Sequence, residues 1–432
     1  MNLARHAGMI SWAVAARGLP LLYGLVFIIV VIPHLHPGEL GTYYLVFQTY
    51  RFIALLNMNL VLNPMLKLAA EPMNFHRYIS AGLAMSVLFN LICAIVATAL
   101  AGLAAGWFRM QPADLLFIPL LLGVFILRDF GFFVQQTIFR TGRIFFIEAI
   151  YFVGSAFGMI ALIQTGEAVT AHALLQINVL AAGGSSVMAL IFGTGGIKLL
   201  SAFSSTSVKE LLRYGLKTVP IGFARAMMEA ADAWVLGVFY NPSVVGIYGG
   251  ARRVYQVLYA VTQSVGMLAI PAASKYSSEG KVDEVRSLFE KGSVYLFLAV
   301  SGFATILFFL AEPLYQWMGD KYAGSLPLLR ILLIGAPFDG LFTLVGGLIY
   351  GVGAALAVSY VSLAGLGLLI ILLVPGVYFF SSTGAAIALV LTMVFSGVMM
   401  FYRAAIRFDS GLTPALKRFV AMVGKFVRKY KV

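Results

Sequence analysis

LLRYGLKTVPIGFARAMMEAADAWVLGVFY, residues 211–240, is long and apolar enough to cross a bilayer, yet it carries Lys217, Arg225, Glu229 and Asp232. At about 100° per residue, positions 217, 221, 225, 229 and 232 fall in one sector of a helix. A short turn follows, Asn241-Pro-Ser-Val-Val-Gly-Ile-Tyr248, and then a second apolar segment, Gly249–Ile270. Arg252, Gln256, Tyr259 and Gln263 recur at helical spacing on one face of that segment. Ionisable groups at bilayer depth are costly and normally face a partner or a water-filled cavity. Two neighbouring helices with polar stripes therefore read as the wall of a cationic cavity in a transporter.

The rest of the chain agrees with a membrane setting. Of its 432 residues 61% are hydrophobic and 11% charged, with a mean hydropathy of +0.94. A soluble domain of this size is excluded by those values, and little sequence is left for a separate catalytic domain, so no enzyme is expected. Cys93 is the single cysteine, so neither an intramolecular disulfide nor a cysteine metal cluster forms. His34-x-His36 lacks a supporting carboxylate or cysteine set, and no GxSxG, Walker or HExxH pattern occurs. No metal and no cofactor are expected. The net charge of +13 reads as topogenic lysine and arginine with attraction to anionic lipid, not as a nucleic-acid surface.

Apolar stretches fall at roughly 8–32, 40–63, 79–106, 114–138, 144–163, 169–192, 211–239, 244–270, 292–315, 325–350, 354–379 and 384–407, which predicts twelve spans. The first is too long for a signal-peptide core and reads as a retained span. Lysine and arginine crowd the even-numbered loops and both ends, from Arg5, Lys67 and Arg77 to Lys291 and the C-terminal tail. The opposite loops hold Arg109 and Lys321, so both termini are expected in the cytoplasm.

The two halves resemble each other. Pro37-Gly-Glu-Leu-Gly-Thr-Tyr43 and Pro242-Ser-Val-Val-Gly-Ile-Tyr248 share P-x-x-x-G-x-Y at equivalent junctions, and Tyr50 and Tyr255 keep the same offset. Six spans per half give a parallel repeat, with residues 1–200 and 201–407 as two six-helix bundles. Residues 408–432 form a basic amphipathic tail. There Thr413-Pro414 starts a helix with Leu416, Phe419, Val420, Val423, Val427 and Tyr430 on one face, suited to the cytoplasmic leaflet.

Several patches resemble the polysaccharide-exporter and O-antigen flippase (Wzx-type) family of the multidrug/oligosaccharidyl-lipid/polysaccharide (MOP) exporter superfamily. They are Leu212-Arg-Tyr-Gly-Leu-Lys-Thr-Val-Pro220, Asp232, Val245-Gly-Ile-Tyr-Gly-Gly-Ala-Arg252, Pro271-Ala-Ala-Ser-Lys275 and Met318-Gly-Asp-Lys-Tyr-Ala-Gly-Ser-Leu-Pro-Leu-Leu-Arg330. Glu39-Leu-Gly-Thr-Tyr43 and Arg140-Thr-Gly-Arg143 add to the set. The resemblance implies an all-α polytopic protein of two six-helix bundles in a V, with the first, second, seventh and eighth helices around a central cavity. It also implies a bacterial cytoplasmic-membrane flippase for an undecaprenyl-diphosphate-linked oligosaccharide. Glycan polymerases and glycosyltransferases of the same pathway would be its partners. Twelve spans leave out the extra helices of the fourteen-span lipid II flippases.

Diphosphate needs cations, and the planar donor fork of arginine suits phosphate. The implied cavity helices carry Arg17, Arg51, Arg225 and Arg252, with Gln48, Gln256, Gln263 and Tyr259 as sugar partners. Arg225 has Glu229 at i+4 and Asp232 at i+7, so an internal ion pair competes with substrate contact. Arg253 points about 100° from Arg252, and the polar stripe favours Arg252 for the cavity. Glu229, Asp232 and Asp339 are candidates for ion coupling. Arg128-Asp129, within the fourth span, reads as a structural pair or part of the coupling, and Glu148 is expected to pair with Arg143. A cation-coupled multidrug or small-solute antiporter is the competing function. A membrane-embedded glycan enzyme fits poorly with such short external loops, and a non-transporting scaffold stays open.

Overall fold

A computed structural model describes residues 3–69, 74–193 and 204–410. All regular structure among them is helical. Helix α1, Leu3–Val26, continues through a π-turn, Phe27–Val31, and a 3-10 turn, Ile32–His34. Helix α2, Pro37–Asn57, is prolonged by Met58–Leu62 and Asn63–Leu68. Then follow α3 (Phe75–Phe108), a short turn at Pro112–Leu115, α4 (Phe117–Thr137), α5 (Thr141–Gln164) and α6 (Ala171–Gly193). The second half contributes α7 (Ser205–Phe239), α8 (Pro242–Ser278), α9 (Val282–Met318) and α10 (Ser325–Gly351).

The last stretch, Ala355–Arg407, is 53 residues, far longer than a bilayer needs. It breaks at Ser381, whose φ of 53° and ψ of −137° are not helical, into α11 (355–380) and α12 (382–407). A Cβ on Gly384 would land on the Gly376 carbonyl, so only glycines allow this hairpin to close so tightly. Nine stretches of the described residues are long and apolar enough to cross a membrane, with Ala355–Arg407 counted once. Helices α7 and α8, of 35 and 37 residues, have the length to cross a membrane and stand outside that nine. The all-α, about-twelve-span expectation therefore holds. Helix ends overrun the apolar windows: α9 starts at Val282 rather than near 292, where Asp283 and Glu284 complement the helix N-terminus. The amphipathic helix expected from Thr413 onward lies outside the described residues.

The chain divides into two compact units. The first runs up to Arg253 and takes in Trp317–Ala323; the second holds Val254–Gln316 and the chain from Gly324. This is a division by packing, whereas the repeat halves at 200/201 are a division by sequence. In the first unit α7 packs on α2 and α3. An aromatic ladder fills its core: Tyr23, Phe27, Tyr43, Phe47, Tyr50, Phe125 and Tyr151 follow one another at ring distances of 4.8 to 6.1 Å. The second unit is built on α10 against the α11–α12 hairpin, with Gly335 against Met393 and Val390, and Gly397 on the Phe338 backbone.

A clasp belongs to the first unit. Pro33 has no N–H to give the Ile29 carbonyl one turn earlier. Trp317 Nε1 donates to that carbonyl instead, at 2.9 Å. Lys321 Nζ donates to the Pro33 carbonyl at 2.6 Å and Tyr322 Oη to the Leu35 carbonyl at 3.3 Å. Three donors from the end of α9 and the turn after it thus hold the elbow between α1 and α2. Trp317→Phe keeps the ring and removes one hydrogen bond, so it is expected to lower stability by about 1 kcal/mol. Heating the detergent-solubilised protein before size-exclusion chromatography measures the shift.

Candidate functional site

Two equivalent helix starts meet in the first unit. His36 and Asn241 stand just before Pro37 and Pro242, the first residues of α2 and α8. His36 Nδ1 accepts from the Gly38 N–H at 3.3 Å, and Asn241 Oδ1 accepts from the Val244 N–H at 3.1 Å. Capping side chain and proline together begin a helix without an unmet donor at its first position. Four residues on, Gly41 receives the Pro242 carbonyl, and Gly246 reciprocally receives the Pro37 carbonyl. The P-x-x-x-G-x-Y repeat is therefore one contact seen twice. Its tyrosines, Tyr43 and Tyr248, are both fully buried behind it.

From this crossing the charged residues of α7 and α8 descend in order. Asp232 has no exposed surface; its Oδ2 accepts from Tyr248 Oη at 2.7 Å and pairs with Arg252 Nε at 3.1 Å. Its Oδ1 accepts from the Ala233 N–H at 2.8 Å. Arg252, 8% exposed, is thus held in a buried pair with Asp232. Its neighbour Arg253 turns elsewhere and lies 4.7 Å over the Phe27 ring.

One turn back along α7, the environment opens. Gln48 of α2 is buried and donates through Nε2 to Tyr44 Oη at 3.0 Å and to the Glu229 carbonyl at 2.9 Å. Trp234 Nε1 donates to Thr49 Oγ1 at 2.9 Å, which fixes α7 against α2. Arg51 of α2 then reaches Glu229 Oε2 at 3.2 Å, while Arg225 reaches Oε1 of the same carboxylate at 3.6 Å. Their side chains are 40% and 57% exposed, against 24% for Glu229. Two guanidinium groups on one carboxylate present positive charge outward, and among the described residues most donors of Arg51 are left for another acceptor.

The structure so brings together Gln48, Arg51, Arg225 and Glu229, with Asp232 and Arg252 behind them. Arg17 is exposed on α1, within electrostatic reach of Glu148. Gln256, Tyr259, Gln263 and Asp339 belong to the second unit. There Tyr255 Oη donates to Asp339 Oδ2 at 3.1 Å and Gln263 Nε2 to Thr343 Oγ1 at 3.3 Å, while Gln256 and Tyr259 are half-buried. Two partners were missed from the sequence: Tyr44, and Tyr248 as the second donor to Asp232. The repeat motif, which contains Tyr248, was the available signal.

The expected Glu148–Arg143 pair does not form. Arg143 donates to the Phe192 carbonyl at 2.8 Å, and Glu148 takes Arg128 Nη2 at 2.7 Å. Five residues apart on one helix, 143 and 148 face different sides, whereas an intrahelical pair needs a spacing of three or four. Arg128 and Asp129 do pair, at 2.8 Å.

The class defined by this fold is that of multi-pass membrane proteins built like the MATE transporters. An inward-facing multidrug resistance MATE family transporter of the MOP superfamily superposes with a TM-score of 0.77 at 11% identity, over 92% of this chain and 98% of that one. The lipid II flippase MurJ, in an inward closed conformation, gives 0.71 at 14% identity over 98% and 94%. A MOP superfamily transporter from Pyrococcus furiosus, described as having a binding pocket of reversed polarity that suggests a different function, gives 0.59 at 13% over 93% and 95%. At these identities the likeness establishes the fold. Within the chain, residues 220–375 match the MatE family model. No curated protein matches the sequence.

Proposed function

We propose that this chain is a transporter of the MOP superfamily that moves a lipid-linked, anionic glycan across the bacterial cytoplasmic membrane by alternating access, its termini in the cytoplasm. The MatE match over residues 220–375 and the shared fold support the superfamily. The observation that carries the substrate class is the meeting of Arg51 and Arg225 on Glu229, both arginines substantially exposed. A diphosphate offers oxygen acceptors matched to such a fork, and its prenyl tail can remain in lipid while the sugars meet amide and hydroxyl partners. An undecaprenyl-diphosphate oligosaccharide has this chemistry, and enzymes that assemble and polymerise the glycan are the partners it requires. Glu229, Asp232 and Asp339 remain the candidates for ion coupling on this pathway.

Charge reversal tests the reading. Arg51→Glu and Arg225→Glu are each expected to reduce glycan export by at least about tenfold in cells that depend on this chain, with the protein present at normal levels. Full export by both variants would overturn it. The MATE fold relatives favour a second reading, a cation-coupled antiporter for drugs or small solutes. An exporter of organic cations would place carboxylates where these arginines stand. Protection against cationic dyes that survives Arg51→Glu would support that alternative.

A further inference from the structure

A third charge cluster in the first unit lies between α4 and α5, and the proposed site does not use it. Arg128 donates from Nη1 to Asp129 Oδ1 at 2.8 Å and from Nη2 to Glu148 Oε1 at 2.7 Å. Its guanidinium carbon lies 4.7 Å from the Tyr151 ring centre and 5.2 Å from that of Phe125, so apolar surface encloses it. The Arg128 side chain is 11% exposed, and its Nε has no acceptor among the described residues. Glu148 is 11% exposed, Asp129 29%.

The cluster differs in composition from Asp232 and Arg252, which form a buried pair. Here one buried cation, Arg128, is in contact with two carboxylates. From α1 the facing charge is Arg17, exposed and in no ion pair with Glu148 among the described residues. Helix α2 offers Tyr50, and α5 itself Tyr151, whose hydroxyl donates to Asn178 of α6 at 2.8 Å. His76 and Arg77 of α3 sit in its first turn, and Arg77 pairs with Glu210. A second full negative charge at bilayer depth, close to a first, is unstable unless neutralised.

We propose that Asp129 and Glu148 share one exchangeable proton, taken up and released at Asp129. Each carboxylate already gives one oxygen to Arg128, which leaves two oxygens between them. An alkali cation coordinates more than that; a proton needs one. Asp129 is the exchanging end because it is the more exposed of the two, while Glu148 is sealed against the guanidinium. The proton belongs to the pair, so replacing either carboxylate removes the need for it. The inference does not depend on what the protein carries.

Infrared titration of the full-length chain in lipid vesicles, without substrate, tests it. A protonated-carboxyl stretch is expected at neutral pH and is expected to vanish at alkaline pH. Asp129→Asn should abolish it, and Glu148→Gln should do so independently if the first variant folds poorly. Glu229→Gln and Asp339→Asn should each retain it. Absence of the band at neutral pH, its survival in both Asp129→Asn and Glu148→Gln, or its removal by sodium at constant pH would overturn the proposal.

Discussion

Alanine at Gly41 or Gly246 is expected to destabilise the purified protein by about 3 kcal/mol, the upper part of the range for overpacking. Neither methyl has anywhere to go. At Gly41 it would coincide with the Pro242 carbonyl, and at Gly246 with the Pro37 carbonyl, so backbone rather than a yielding side chain must move. Both helices are held at this point by their caps and prolines, and Tyr43 and Tyr248 pack directly behind. Because the two contacts are halves of one crossing, the double variant should cost distinctly less than the sum of the single ones. Gly102 and Gly106 of α3 have open space where a Cβ would stand, so alanine there should leave stability unchanged or raise it by up to about 1 kcal/mol. Thermal unfolding followed by size-exclusion chromatography distinguishes the cases. Equal effects at all four glycines would mean the crossing is not the reason for the repeated motif.

That crossing shows what a sequence of this kind can and cannot reveal. The P-x-x-x-G-x-Y repeat is legible as a recurrence, because proline, glycine and tyrosine stand out against an apolar background. That its two copies touch each other is not legible, since nothing in either copy encodes its partner. Helix existence was readable from apolar run length, as twelve windows against α1–α12 attest. The break at Ser381 was readable too, because 53 residues exceed what one span can use, though a serine rather than a glycine takes the positive φ. Partner choice among charges was legible only where helical spacing decides it. Arg225 finds Glu229 at i+4 as the spacing predicts, and Arg252 and Arg253 part company as the pitch requires. Glu148 defeated the same reasoning because its partner comes from another helix, and sequence neighbours at i−5 were the wrong place to look.

Arg252→Ala and Arg51→Ala are expected to fail in opposite ways, and the contrast separates an arginine that holds the fold from one that meets the substrate. Removing Arg252 leaves Asp232 fully buried, with Tyr248 Oη and one backbone N–H as its hydrogen-bond donors. Breaking a buried pair in this way costs about 3–5 kcal/mol, because an uncompensated charge stays behind. Adding Asp232→Asn should recover a good part of that loss: the amide keeps Tyr248 as a neighbour and carries no charge to strand. Arg51 is in a different position. Its side chain is 40% exposed, its pair with Glu229 is partly solvated, and Arg225 remains on the same carboxylate. Losing it should cost less than about 1 kcal/mol of stability, as for other exposed pairs, while export falls. Unfolding curves and export assays on the same preparations of Arg252→Ala, Arg252→Ala/Asp232→Asn and Arg51→Ala read both quantities. Should Arg252→Ala unfold like the parent chain yet lose export, the buried pair would be a substrate contact after all, and the cationic surface would extend from Arg51 along α8 to the Gly41–Gly246 crossing.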